Sequence, residues 1–175
     1  MLHGEKVRLR ALEAEDLAHC LKWLNDWNVV RTLSAVWYPI SRQAERAWLE
    51  RRVLDDDPTR KSFVIESLSG QYLGNCGLDL MDPRDRKARV GIVIGLPEYW
   101  DKGFGREALK LLAQYAFDFL NLRKLYLETY AFNPRALKCY QDAGFVQEGV
   151  FRREFFREGQ YHDIIRMGLF KEELK

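Results

Sequence analysis

Cysteine, proline and long apolar runs are scarce in this chain of 175 residues. Its three cysteines, Cys20, Cys76 and Cys139, are odd in number and far apart. They make neither a disulfide framework nor a metal-ligand spacing, which suits a reducing compartment. No apolar run approaches the ~20 residues of a membrane span, and the first residues form no apolar secretory segment. An excess of either charge is missing too: the net charge is +2, with both signs interspersed. Charge therefore gives no case for nucleic acid, and Arg84-Asp85-Arg86-Lys87, interrupted by an acid, reads as a solvated turn. Repeats, linkers and low-complexity stretches are absent as well. These absences predict a soluble, cytoplasmic protein that holds no metal and binds neither nucleic acid nor membrane directly. With 47% hydrophobic residues, residues 1–175 read as a single domain able to bury roughly 70% of its unfolded surface.

The pattern of apolar residues gives the order of elements. Val7 to Leu12 alternates with period two, as in a half-buried strand. Glu13 to Asp26 is helical, with Leu17, Cys20, Leu21 and Leu24 on one stripe. Ser41 is placed to cap a second helix that runs to Leu54 and stops at Asp55-Asp56-Asp57-Pro58. Strands follow at Lys61 to Ser67, Tyr72 to Leu80 and Ala88 to Gly95. A helix with Leu109, Leu112, Ala116, Phe119 and Leu120 on one face leads to a strand at Lys124 to Tyr130. A short helix begins near Asn133-Pro134 and closes at Gly144, before a hairpin of Phe151 to Phe156 and Tyr161 to Phe170. The order β-α-α-β-β-β-α-β-α-β-β, with seven strands and four helices, predicts one mixed α/β (α+β) sheet covered by helices.

The segment Pro97-Glu98-Tyr99-Trp100-Asp101-Lys102-Gly103-Phe104-Gly105-Arg106-Glu107-Ala108 stands out. A strand feeds a glycine-containing loop, and the loop opens directly into a helix. Consecutive backbone N–H groups there can point at one spot, where the helix dipole favours negative charge, so a phosphate or pyrophosphate can be held without a cage of cations. A dinucleotide-binding oxidoreductase would want a third glycine where Ala108 stands, an early β-α-β unit and an acid after the next strand, and these are missing or weak.

The loop and a second segment, Asn133-Pro134-Arg135-Ala136-Leu137-Lys138-Cys139-Tyr140-Gln141-Asp142-Ala143-Gly144-Phe145, together resemble the GNAT superfamily of acetyl-CoA-dependent N-acetyltransferases. The loop is similar to the acetyl-CoA signature, in the register Trp100-Asp101-Lys102-Gly103-Phe104-Gly105; the second segment is similar to the family's Asn-x-x-Ala-x-x-x-Tyr-x-x-x-Gly-Phe helix. The resemblance spans essentially the whole chain and implies a mostly antiparallel GNAT-like sheet, acetyl-CoA as cosubstrate and an amine as acceptor. Two positions depart from the signature. Trp100 replaces its Arg or Gln, as in the RimJ/RimL-like branch, and Asp101 replaces its first glycine. A carboxylate near a pyrophosphate costs about 1–4 kcal/mol at an effective dielectric of ~20 unless it is screened. Asp101 is therefore expected to face solvent, with Lys102 and Arg106 offsetting it.

The resemblance also implies roles. Val93, Ile94 and Gly95 would hold the pantetheine and acetyl carbonyl through their backbone, and Trp100 to Arg106 would hold the pyrophosphate. Asn133, Arg135 and Ala136 would border the cofactor, with Arg135 reaching a phosphate. Tyr140 would protonate the leaving thiolate, since a phenol with an ordinary pKa near 10 is protonated at neutral pH. Glu128, twelve residues before Tyr140, resembles the base position of RimI-like enzymes; it equally fits a cross-strand ion pair with an arginine of the last hairpin. Asp79, Glu98 and a water chain are further bases. His162 is first a surface or structural residue and second a group reaching the acceptor cleft.

For the acceptor, Leu24-Asn25-Asp26, Pro39-Ile40-Ser41 and Trp48-Leu49-Glu50 resemble RimJ/RimL-like enzymes, which implies a protein N-terminal α-amine. Phe117 to Tyr126 and Glu154 to Met167 resemble bacterial spermidine acetyltransferases, which implies a polyamine; amino sugars and small antibiotics complete the alternatives. A polycation would want carboxylates in the cleft, and Asp55-Asp56-Asp57 reads as a helix-ending turn before it reads as their source. The aromatic segment holding Trp23, Trp27, Trp37, Tyr38 and Trp48 reads as core or homodimer contact ahead of a specificity pocket. A non-catalytic module that only senses acetyl-CoA is the remaining rival.

Overall fold

The structure is a computed structural model describing residues 2–33, 38–54 and 56–174. Strand β1 (Leu2–His3) pairs with β2 (Val7–Arg10), and β3 (Lys61–Ser67), β4 (Tyr72–Asp82) and β5 (Lys87–Ile94) continue as an antiparallel meander. β6 (Lys124–Tyr130) lies parallel to β5; the closing hairpin of β7 (Val146–Arg157) and β8 (Gln160–Phe170) joins β6 through β8. The sheet order is β1-β2-β3-β4-β5-β6-β8-β7.

Helices cover both faces because alternate strand residues point to opposite sides. On one face α4 (Phe104–Asp118) buries Leu109, Leu112 and Ala116 in a cluster with Ile65, Leu78, Leu125 and Met167. On the other, α1 (Leu17–Leu24) and α3 (Arg42–Val53) bury Cys20, Trp23 and Leu49 with Val64 and Tyr72. Val64 and Ile65, adjacent in β3, go to different clusters. Each fully buried Leu contributes about 1.5–3 kcal/mol. Two further helices, α2 (Trp27–Val30) and α5 (Pro134–Asp142), lie near the cleft described below.

The mixed, mostly antiparallel sheet expected from the sequence is observed, with eight strands and five α-helices among the described residues instead of seven and four. β1 is two residues long, too short to leave a pattern. The helix expected over Glu13 to Asp26 breaks at Asn25, and Asp26 caps α2 by accepting from the Asn28 amide at 2.9 Å. α4 begins at Phe104 rather than Ala108, and it ends at Asp118. Phe119, expected on the buried face, therefore lies beyond the last turn and is 74% exposed, stacked on Tyr115. β7 starts at Val146, five residues before the expected strand, because register shifts between Gln147 and Gly149 and between Phe151 and Phe155 break its alternation. Arg84 to Arg86 lie in the expected turn, in which the Asp82 carboxylate accepts from the Arg84 and Asp85 amides, and Lys87 opens β5.

Candidate active site

β5 and β6 pair only at Lys87–Arg89 against Lys124–Tyr126. Beyond that point they share no pairing, while β5 stays bound to β4 through Val93↔Asn75 and Ile94↔Gly74. The strands splay, and a cleft of about 1280 Å³ opens between Ile92, Val93 and Ile94 on one side and Glu128, Thr129 and Tyr130 on the other. An unpaired strand edge facing a cleft offers backbone donors and acceptors to an extended, amide-bearing chain.

The loop after β5 is fixed at both ends. Gly95 donates its amide to the Leu73 carbonyl at 2.8 Å, and a β-carbon there would lie 2.4 Å from the Trp23 ring, so only glycine fits. Gly103 caps α4 in the left-handed conformation at φ +86°, which leaves the first α4 amides without intrahelical partners. Two cations flank this end: a β-carbon on Gly103 would be 3.4 Å from Lys6 Nζ and 3.7 Å from Arg106 Nη2. Lys6, which also donates to the Lys102 carbonyl at 3.0 Å, is a contributor that sequence reasoning missed, since it sits 96 positions away in a β-strand approach.

Trp100 donates its indole N–H to the Ile94 carbonyl at 2.8 Å, pinning the loop to the strand. The Arg135 guanidinium stacks on the same indole, 3.4 Å from its centroid. Burial pulls the Arg135 pKa down, and the charge of Asp101 opposes that pull. Asp101 is exposed, at φ +58°, yet it lines the cleft beside Trp100 and Lys102, where a carboxylate facing solvent alone was expected. Lys102, Gly105 and Arg106 line the cleft. Gly95 and Phe104 do not: Phe104 packs edge-on against Tyr99, so its share in anion binding is limited to its amide.

Asn133 caps α5, its Oδ1 accepting from the Ala136 amide at 3.2 Å. Helix α5 then carries Ala136 and Tyr140 into the cleft wall. Tyr140 also touches the core, edge-on to Phe145 at 6.3 Å, and its burial pushes the phenol above its ordinary value. Glu128 is exposed at the cleft mouth and makes the cross-strand pair with Arg166, at 3.5 Å, that strand register allows. Asp79 lines the cleft but is paired with Arg52 at 3.3 Å. Glu98 lies in a 3-10 turn outside the cleft lining, and His162 is held by the Arg157 carbonyl and the Phe132 ring. Asp57, past the end of α3 at Val53, is a turn residue accepting from the Thr59 amide at 2.8 Å, while Asp55 lies outside the described residues.

The other end of the cleft is aromatic and apolar. Trp23 and Trp48 line it, and Trp23 also belongs to the core; Trp27 and Tyr38 are exposed, and Trp37 lies outside the described residues. Tyr130 and Phe155, stacked at 4.1 Å, add a wall from the sheet. Among these groups sits Glu45, 6% exposed on the inner face of α3, with no cation in ion-pair range among the described residues. Desolvation pushes its carboxyl up to about 7, and the neighbouring Cys20 thiol opposes the shift. The sequence signal was its i, i+3, i+4 spacing with Trp48 and Leu49, which places a charge in an apolar stripe.

No helix among the described residues is long and apolar enough to cross a membrane, and no group of three or more potential metal ligands occurs among them. Residues 6–146 match the family described as "Acetyltransferase (GNAT) domain". The chain is 32% identical to a spermidine N(1)-acetyltransferase of Vibrio cholerae, over 97% of this chain and 96% of that one. It is 35% identical to the Escherichia coli K12 spermidine N(1)-acetyltransferase, over 99% and 90%. A crystal structure of the Vibrio cholerae spermidine N-acetyltransferase, in complex with CoA and spermine, superposes with a TM-score of 0.86 at 30% identity, covering 97% of this chain and 98% of that one.

Proposed function

We propose that this chain, which belongs to the GNAT family of acetyl-CoA-dependent N-acetyltransferases, acetylates a primary amine of a polyamine such as spermidine. The observation that carries the acceptor class is Glu45: a buried carboxylate facing an aromatic cleft, unpaired by any described cation, suits an alkylammonium group. Its setting matches the activity named for the relatives. The protein N-terminal α-amine suggested by Trp100 and Leu24-Asn25-Asp26 is the weaker reading, because the relatives that match nearly the whole chain are spermidine acetyltransferases.

In this reading the splayed edge of β5 at Val93 and Ile94 receives the pantetheine chain, and its amides orient the acetyl carbonyl. The amides of Gly103 to Arg106, the α4 dipole, Lys6 and Arg106 receive the pyrophosphate. Arg135, stacked on Trp100, offers a fork of donors to a phosphate. The acceptor reaches the cleft as an ammonium ion and must lose a proton before its nitrogen attacks the thioester carbon. Glu128 at the cleft mouth takes that proton directly or through water. The C–N bond forms, the C–S bond breaks, and Tyr140 gives its proton to the departing sulfur. Because burial raises the Tyr140 phenol, the acid stays loaded at neutral pH.

Thiol release from acetyl-CoA tests the reading with spermidine, spermine, a peptide with a free N-terminus and glucosamine as acceptors. Spermidine or spermine should give a kcat/KM at least ~100-fold above the peptide, a difference of about 2.7 kcal/mol. Preference for the peptide overturns the acceptor class, and acetyl-CoA binding without turnover on any amine makes the chain a sensor.

A further inference from the structure

We infer that Arg157 is a positioning residue for the acceptor wall: from the tip of the β7–β8 hairpin its guanidinium grips the end of α2 and so sets acceptor affinity without touching either substrate. The inference rests on the proposed function only in assigning the α2 side of the cleft to the acceptor.

The chain brings Arg157 there by a tight turn. Glu158 and Gly159 both have positive φ, +52° and +78°, the geometry of a two-residue hairpin loop. Arg157 is therefore the last residue of β7, opposite Gln160, and it is only 6% exposed. Its Nη1 donates to the carbonyls of Val30 at 3.4 Å and Arg31 at 3.3 Å, and its Nη2 donates to the Leu33 carbonyl at 3.0 Å. Its guanidinium carbon lies 5.2 Å from the Phe155 ring centroid and 5.8 Å from that of Trp27. Next to it, Glu158 pairs with Arg31 at 3.3 Å.

The recipient needs such a partner. α2 is four residues long, far below the length at which a helix holds itself together; the Val29 and Val30 carbonyls accept from the Thr32 and Leu33 amides, but among the described residues the Arg31 and Leu33 carbonyls just beyond it meet no backbone donor. A cation at a helix C-terminus also meets the favourable end of the dipole. A guanidinium can serve three carbonyls lying in different directions, whereas a lysine ammonium concentrates its donors at one point. The three acceptor residues interleave with cleft-lining ones: Val29, Thr32 and Leu33 line the cleft on this side, and Phe155, two residues before Arg157, lines it from the sheet. One buried side chain thus fixes the distance between two walls of the cleft. The pyrophosphate loop and α5 make no hydrogen bond or ion pair with it among the described residues.

Two measurements test this. Hydrogen exchange of the peptide spanning 27–33 is followed in wild type, Arg157→Met, Arg157→Lys and Glu158→Ala, with peptides over 100–112 and 134–145 as internal references. Steady-state kinetics use acetyl-CoA with spermidine as the amine. In Arg157→Met, exchange at 27–33 should rise about 10-fold while the references hold, and the spermidine KM should rise about 10-fold with kcat and the acetyl-CoA KM within about twofold. Arg157→Lys should fall between, and Glu158→Ala, an exposed pair, should stay within about twofold throughout. Unchanged exchange at 27–33, equal acceleration in all three peptides, or a rise in the acetyl-CoA KM instead of the spermidine KM overturns the inference. If Arg157→Met fails to fold, Arg157→Lys decides by the same exchange criterion. If wild type does not turn over spermidine, the proposed acceptor falls, and exchange at 27–33 alone decides the role of Arg157.

Discussion

The Arg135 guanidinium lies 3.4 Å from the centroid of the Trp100 indole, whose N–H is committed to the Ile94 carbonyl 2.8 Å away. One aromatic ring thereby joins the splayed strand, the anion loop and α5. The tryptophan that breaks the acetyl-CoA signature thus gives a platform that orients a neighbouring cation. Arg135→Ala should raise the acetyl-CoA KM about tenfold, the ~1.4 kcal/mol of one charged contact, and leave the amine KM within about twofold. Trp100→Phe keeps the ring face but loses the bond to Ile94, and should give a smaller rise of about threefold. An Arg135→Ala enzyme that changes only the amine KM would place this residue on the acceptor side instead.

Tyr140→Phe removes the proposed proton donor and little else, because the ring keeps its contact with Phe145. Loss of a general acid should lower kcat by about 100-fold or more. The dissociation constant for CoA, measured by calorimetry, should move less than about twofold. Because burial holds the phenol above its ordinary value, wild-type kcat should show no falling limb from Tyr140 below pH ~10. Equal kcat in the two proteins would leave Tyr140 a core aromatic.

The proposed cofactor end is more legible in the sequence than the proposed acceptor end, for a physical reason. Anion binding by backbone needs glycine at fixed positions, a helix start and a cap, and Gly103, Gly105 and Asn133 record all three locally. Tyr140 follows at a fixed helical offset. The acceptor wall instead gathers Trp23, Glu45, Tyr130 and Phe155 from four elements, which only the sheet order brings together. Lys6 reaches the loop from the β1–β2 connection for the same reason. Glu128 was ambiguous because an ion pair and a base ask for the same residue at the same strand position, and it does pair with Arg166. The ends of β7 and α4 were misjudged where bulges and a terminated helix broke the periodicity.

Glu128→Gln separates those two roles. An exposed pair contributes only about 0–1 kcal/mol, so its loss should shift the thermal midpoint by no more than ~3 °C. As a base, Glu128 should be worth about 100-fold in kcat/KM, which the glutamine variant loses. A kcat/KM within about twofold of wild type assigns proton removal to water or to another carboxylate of the cleft.

Glu45 gives the sharpest pH prediction. Its carboxyl rises from an ordinary 4.5 to about 7 in the folded protein because burial penalises the charge. The folded state then holds this proton more tightly than the unfolded chain does. Stability from this group is therefore intact below about pH 4.5 and declines as pH climbs through the window to 7. By pH 8 the ionised, unpaired carboxylate costs on the order of 3 kcal/mol. Glu45→Gln cannot titrate, so it should melt roughly 5–10 °C above wild type at pH 8 and match it near pH 5. The same substitution removes the counter-charge for an ammonium, so the spermidine KM at pH 8 should rise about tenfold while the acetyl-CoA KM holds. A gain in stability joined to a loss of acceptor affinity is what a site that keeps a charge buried for its ligand would show. Parallel melting curves across pH, or an unchanged spermidine KM, would make Glu45 an ordinary buried acid.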